Sequence, residues 1–178
     1  MKIQGVIPAI RNMKDYECII DSNHQIIVLL ETRISQLPQL VRHAKKHNKQ
    51  VLVHADLING LKVDAYGMEF LVRLVKIDGV ISTRANVIAL AKKYNILAIQ
   101  RFFAIDSSAV ANNIKLIEKS KPDYIEVLPG IIPTIIGEII DQTKVPVIAG
   151  GLIKNAQQVR EALDIGAIAV TTSHKQLL

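Results

Sequence analysis

The sequence predicts an α/β protein, a small (β/α)8 barrel with shortened helices, filling residues 1–178 as a single domain. Three observations predict it. Eight short runs rich in Ile and Val recur along the chain, helix-like stretches lie between them, and 178 residues divided among eight units gives about 22 each. Strand and helix alternating from end to end point to a parallel sheet. Eight such units are the count that closes into a barrel. Barrels of this kind usually need roughly 250 residues, so some helices here must shrink to a turn or two. The rival architecture is an open doubly wound sheet, which needs fewer strands.

The strand-like runs are Ile3 to Ile10, Gln25 to Leu30, Gln50 to Asp56, Gly79 to Thr83, Ile96 to Phe103, Asp123 to Val127, Val145 to Ala149 and Ala167 to Thr171. β-Branched residues suit a pleated surface covered on both faces. Between them, Ser35 to His47 reads as a helix with Ser35 as cap and Leu37, Leu40, Val41 and Ala44 as its buried stripe. Asn86 to Tyr94 places Val87, Leu90 and Ala91 on one face. Ser107 to Lys119 starts on a serine cap and ends in lysines, and Asn155 to Leu163 starts on an asparagine cap and stops before Gly166. Asn12 to Ile20 and Leu57 to Asp64 are the short or irregular helices.

Composition narrows the function classes. Hydrophobic residues are 49% and charged residues 21%, which excludes intrinsic disorder. Cys18 is the single cysteine, so a disulfide scaffold is excluded. No apolar run approaches the roughly 18 residues of a membrane helix, and Met1 to Pro8 lacks a basic stretch followed by a long apolar one. A cytoplasmic protein without signal peptide or membrane contact is therefore expected. The net charge of +6 permits an anionic partner without demanding one.

In a barrel, chemistry sits where the strands end. The seventh run ends in Ala149-Gly150-Gly151 and the eighth in Thr171-Thr172-Ser173. Glycines let backbone approach an anion, hydroxyls add donors, and these two loops commonly hold phosphate in this architecture. The alternative for the glycine pair is a tight turn. In Val51-Leu52-Val53-His54-Ala55-Asp56, alternation sets Leu52, His54 and Asp56 on one face, which should point into the barrel. Glu126 likewise opposes Ile125 and Val127. Asp56 and Glu126 suit acid–base work, a metal, or acceptance of ligand hydroxyls, against the alternative of structural pairing with Arg or Lys. A ligand role is assigned to both, and no metal or catalytic set is. His54 is a further candidate, against the alternative of a satisfied core histidine. Gln100 and Arg101 end the fifth run with unclear parity, and Gln100 joins the candidates. Arg101 would neutralise an anion or pair with Glu126 or Asp56.

Arg42, His43, Lys45, Lys46, His47 and Lys49 crowd one helix side and end, and Lys92 and Lys93 end another. Such ends suit the helix dipole as solvated faces. The functional alternative is a nucleic-acid patch of Arg42, Lys45, Lys46, Lys49, Lys92 and Lys93. Aromatic residues are only 4%, with no tryptophan, which argues against base stacking.

Several strings in order carry a resemblance. They are His54 to Leu61 (HADLINGL), Asp78 to Thr83 (DGVIST), Gln100 to Ser107 (QRFFAIDS), Pro122 to Gly130 (PDYIEVLPG), Ile148 to Ile153 (IAGGLI) and Gly166 to Ser173 (GAIAVTTS). Across nearly the whole chain the sequence resembles the bacterial glycerol uptake operon antiterminator regulatory proteins, the GlpP family. That resemblance implies a small TIM-type barrel in the cytoplasm, responsive to glycerol 3-phosphate as effector and needing no cofactor. It implies antitermination through the leader messenger RNA of glycerol-catabolism genes rather than enzymatic activity. Ala55 stands where the family usually has a larger apolar residue and Arg84 where lysine is common, beside the motifs and not in them. No RNA-reading surface carries over residue by residue, and a homo-oligomer is left open. The competing class is a barrel enzyme acting on a phosphorylated polyol or sugar, with Asp56 or Glu126 as base. No lysine stands at a strand end in position for a Schiff base.

Overall fold

A computed structural model describes residues 2–178. In chain order the elements are β1 (Gly5–Ile10), α1 (Met13–Ile20), β2 (Ile26–Leu29), β3 (Thr32–Arg33), α2 (Leu37–Lys46), β4 (Gln50–His54), β5 (Ile58–Asn59) and α3 (Ala65–Glu69). There follow β6 (Gly79–Ser82), α4 (Ala85–Lys93), β7 (Leu97–Phe103), α5 (Ser107–Ser120), β8 (Tyr124–Leu128), α6 (Pro133–Thr143), β9 (Val147–Gly150), α7 (Ala156–Asp164) and β10 (Ala169–Thr172). Eight strands close a barrel in the order β1-β10-β9-β8-β7-β6-β4-β2. Every pair in it is parallel. The open-sheet rival is thereby excluded, and the chain is a TIM-type barrel. The dipeptides β3 and β5 form a separate parallel pair outside the barrel.

Both faces of the barrel strands are apolar, as expected of a parallel sheet covered on both sides. Ile7, Val28, Leu52, Ile81, Ile99 and Ile148 fill the interior. Val51, Val53, Val80 and Ala98 pack outward on the helices of one half, and Phe102, Val127, Val147 and Val170 on those of the other. Interior and exterior thus alternate along each strand, and this fixes which polar residues at the strand ends face the mouth.

The structure corrects several local expectations. The run at Gln50 ends as a strand at His54, and Asp56 lies in a 3-10 turn, Ala55–Leu57. Residues 57–64 are not a helix. They supply β5, and the helix begins at Ala65, because Asp64 caps it by accepting from the N–H groups of Tyr66 and Gly67. It continues as a π-helical segment, Phe70–Val75. Asp106, not Ser107, caps α5, accepting from Ala109 N at 2.7 Å. Ser35 caps nothing: α2 starts two residues later with Gln36 as a cap that makes no side-chain bond and with proline in its first turn. Asn155 does cap α7, through Gln158 N at 2.9 Å, and Gly166 turns the chain at φ +110°. The helix α6 was not foreseen; Pro133 opens it, and Ile136 and Ile139 are its buried residues.

Candidate functional site

At the C-terminal ends of the strands, a cavity of about 300 Å³ opens between the ends of β1, β2, β7, β8, β9 and β10. Its wall includes Arg101, Glu126, Gly151, Thr171, Thr172 and Ser173. Five of these six are residues the sequence singled out for a ligand. Arg11, Lys154 and His174 complete the polar rim.

The floor is a buried relay across four neighbouring strands. Arg101 on β7 donates from Nε to Glu126 Oε2 at 2.7 Å. Thr171 on β10 donates to Glu126 Oε1 at 2.6 Å. Between them runs β9, and its Gly150 makes the crossing possible. A Cβ there would stand 2.7 Å from Thr171 Oγ1 and 2.9 Å from Glu126 Oε1. Glycine at 150 is therefore required by a close approach. At 151 it is favoured by its φ of +75°. Leu152, next in the same loop, also holds a left-handed φ, +62°, and is exposed on the cavity rim. A bulky residue in that region marks local strain.

Parity on β7 is now settled. Ile99 lies inside the barrel, so Arg101 points inward with it, and its guanidinium reaches the cavity wall. Gln100 turns the other way. Its amide donates to Thr83 O at 3.1 Å and accepts from Ser120 on α5 at 2.6 Å. It is a link between sheet and helix layer, so the expectation that Gln100 faces the mouth is corrected: Arg101 lines the cavity and Gln100 does not. Thr172, on the outward parity of β10, donates to Ile153 O and accepts from His174 N. It shapes the two loops that meet at the cavity.

Asp56 stands apart on the rim of β4 and β6 and does not line the cavity. Its carboxylate accepts from Ser82 Oγ, Thr83 N and Arg84 Nε at 2.8–3.0 Å. Burial pushes this carboxyl up, but the Thr83 N–H, the Arg84 guanidinium and the Ser82 hydroxyl outweigh it and hold it below its ordinary value. Structural pairing, the alternative weighed against a ligand role, describes Asp56. His54 lies beneath, 3% exposed, with Nδ1 buried and unpartnered 4.0 Å from the Asp56 carboxylate. Burial, then the positive charge of Arg101, pushes its pKa down to about 4. It is a neutral interior residue at neutral pH and not a cavity wall.

The basic candidates divide. Lys45 is closed on Asp78 at 2.8 Å, and Lys92 on Asp123. Lys49 is buried, its ammonium donating to the carbonyls of Ser22 and His24. Three of six expected contacts are thus committed inside the molecule. Arg42, Lys46 and Lys93 remain exposed, with no ion-pair partner among the described residues. No group of three or more His, Cys, Asp or Glu side chains among the described residues suits a metal ion. Likewise, no helix is long and apolar enough to cross a membrane.

Comparison with known proteins adds three likenesses and a family. The model of the family described as glycerol-3-phosphate responsive antiterminator matches residues 6–178. The crystal structure of the glycerol uptake operon antiterminator regulatory protein from Listeria monocytogenes is similar, at 49% identity and a TM-score of 0.96. The match covers 99% of this chain and 96% of that one. A glycerol uptake operon antiterminator-related protein from Thermotoga maritima has 33% identity and a TM-score of 0.88, over 99% and 98% of the two chains. The protein YgcP of Escherichia coli K12 is 32% identical over 169 residues, 95% of this chain and 88% of that protein.

Proposed function

Because the chain belongs to the glycerol-3-phosphate responsive antiterminator family, we propose that it binds glycerol 3-phosphate in the barrel mouth and acts, in the cytoplasm, on the leader messenger RNA of glycerol-catabolism genes. The observation that carries the ligand half is the convergence of Gly151, Thr172 and Ser173 with the Arg101–Glu126–Thr171 relay around one cavity. The phosphate lies against the two loops, where backbone N–H groups meet the Ser173 hydroxyl, the hydroxyl protons of Thr171 and Thr172 being already used on Glu126 and Ile153 O. The carbon chain then points to the relay. Glu126 keeps lone pairs free for ligand hydroxyls beyond the two bonds it already accepts, and Arg101 offers its remaining N–H groups. Lodged between Arg101 and Thr171, Glu126 acts as a fixed acceptor and not as a base, so the site binds without turnover and needs no cofactor. Of the basic set, Arg42, Lys46 and Lys93 contact RNA.

Two measurements test this reading. Glycerol 3-phosphate at a hundredfold excess over its Kd should stabilise the protein by about 2.7 kcal/mol. Gly151→Asp, which sets a charge against the phosphate, should abolish that shift. A labelled leader transcript should then bind differently with and without glycerol 3-phosphate. Retention of the full thermal shift in Gly151→Asp removes the phosphate site from these loops. Steady consumption of glycerol 3-phosphate by purified protein, lost in Glu126→Ala, restores the enzyme reading.

A further inference from the structure

The end of the barrel opposite the cavity is built from the loops that lead into the strands. Five neighbouring ones lead into β4, β6, β7, β8 and β9, which are consecutive in the closed sheet. Each turns through one residue in the left-handed region: Asn48, Lys76, Asn95, Lys121 and Lys144, with φ between 47° and 63°. Glycine takes this conformation without strain, asparagine comes next, and lysine gains nothing there from its side chain. Three of the five positions are nevertheless lysine, and all three lysines are exposed. Lysine thus holds at three of these turns a conformation that asparagine, at Asn48 and Asn95 in the same ring, takes at lower cost.

The surroundings give those lysines a common sign. Lys46, Lys93 and Lys119 stand exposed on adjoining helix ends. The carboxylates within the arc, Asp78 and Asp123, are each closed by a lysine of their own. Two exposed acids lie one turn back, Glu118 on α5 and Asp141 on α6, the latter 4.0 Å from Lys144. On the other side, the loops into β2 and β10 carry no lysine and are bordered by Asp21 and Asp164, and the segment into β1 between them carries one, Lys2. The positive charge is therefore an arc over one side of the end. Its tyrosines, Tyr94 and Tyr124, are half-buried, so it offers charge and no stacking platform.

We propose that this arc, with Lys76, Lys121 and Lys144 as its centre, docks the phosphodiester backbone of RNA without reading sequence. The assignment rests on the RNA half of the function proposed above and places that contact on the end of the barrel remote from the effector.

The test is the triple variant Lys76→Asn/Lys121→Asn/Lys144→Asn, measured against wild type on a labelled leader transcript and on polyuridylate over a salt series. Asparagine suits the left-handed turns, so thermal stability should hold or rise while RNA binding falls. Three lost contacts flatten the log–log salt dependence by about 2 and weaken binding about a hundredfold at 0.1 M salt, on both RNAs alike. The companion Lys76→Arg/Lys121→Arg/Lys144→Arg keeps the charges and should bind as wild type does. Unchanged RNA affinity and slope in the asparagine variant overturn the arc while leaving the RNA function standing, and an acidic protein partner then becomes the occupant to seek. Wild type that binds neither RNA, with its glycerol 3-phosphate shift intact, overturns both. Equal loss in the arginine variant shows that the turns and not their charges matter, and this too overturns the proposal.

Discussion

The two ends of the barrel use the same charged residue types to opposite effect. At the mouth, Arg101 and Glu126 meet in the interior, with side chains only 10% and 2% exposed, and their free edges line a cavity. At the other end, one clamp is built twice. Lys45, near the end of α2, closes on Asp78, whose Oδ2 also accepts from Val51 N as β4 begins. Lys92, near the end of α4, closes on Asp123, whose Oδ2 accepts from Ala98 N on β7. In each clamp the aspartate just precedes a barrel strand and is roughly a third exposed. A charge brought into the interior must have its partner, whereas a charge at the rim merely profits from one. The mouth should therefore be the more fragile end when one partner is removed.

The sharpest break is Arg101→Leu. It strands the Glu126 carboxylate away from water, and such orphaned charges cost about 3–5 kcal/mol. The urea midpoint should fall accordingly. Removing both partners, in Arg101→Leu/Glu126→Leu, should recover most of that loss, because the buried acceptor disappears with the donor. A double variant as unstable as the single one would show that the relay does more than satisfy itself.

The next effect is confined to acid. His54 has its pKa lowered to about 4 in the folded protein against 6.5 when unfolded. The unfolded chain therefore binds the extra proton first, and stability declines as pH falls from about 6.5 towards 4. The whole shift corresponds to about 3 kcal/mol. His54→Leu should remove that slope. The lowered Asp56 carboxyl works in a separate window: its stabilisation is present above the unfolded value of 3.8 and is lost as pH falls through its lower folded one. Denaturation midpoints across pH should thus show two acid steps, of which His54→Leu abolishes only the upper.

At the other end, Asp78→Ala or Asp123→Ala removes a clamp and leaves a strand N–H without its acceptor. Each should cost about 1–3 kcal/mol, below the effect of Arg101→Leu. Near-equal losses would confirm that the clamps are equivalent, and chemical denaturation reads the comparison directly.

How much of this was legible varied with how local the cause was. The eight strands followed from Ile and Val runs, and the cap at Asn155 from its own side chain. The helix α6 stayed hidden because Ile135, Ile136, Ile139 and Ile140 carry strand propensity, while burial on one helical face overrides it. Gly150, Gly151 and the Thr171-Thr172-Ser173 run were readable because fold and residue type agree at loop ends. Arg101 against Gln100 was not, since the residues before them are apolar on both faces and only the closed barrel decides which face is inside. Asp56 and Glu126 looked alike in sequence, yet strand order sets one at the cavity and the other beside Arg84. The left-handed lysines had no signal at all, because a lysine at a helix end suits the dipole whatever its φ.

The smallest effect joins the two ends of the comparison. Asp78→Asn or Asp123→Asn keeps an oxygen for the Val51 or Ala98 N–H and deletes only the attraction to Lys45 or Lys92. Partly exposed pairs of this kind are worth about 0–1 kcal/mol, so each change should cost less than 1 kcal/mol. The difference from wild type should shrink in 1 M salt, where charge attraction is screened within about 3 Å. The Arg101–Glu126 pair, shielded from solvent, should show no such salt dependence. The two clamps share no side chain, so their small losses should add. Each substitution also frees a lysine beside the arc at Lys76, Lys121 and Lys144. If RNA backbone docks there, every freed lysine should steepen the salt slope of RNA binding by up to about 0.7, as stability falls slightly. Opposite signs in the two measurements would separate a charge that holds the fold from one that meets a partner. A fall in both would mean that Lys45 and Lys92 serve only the fold, even when released.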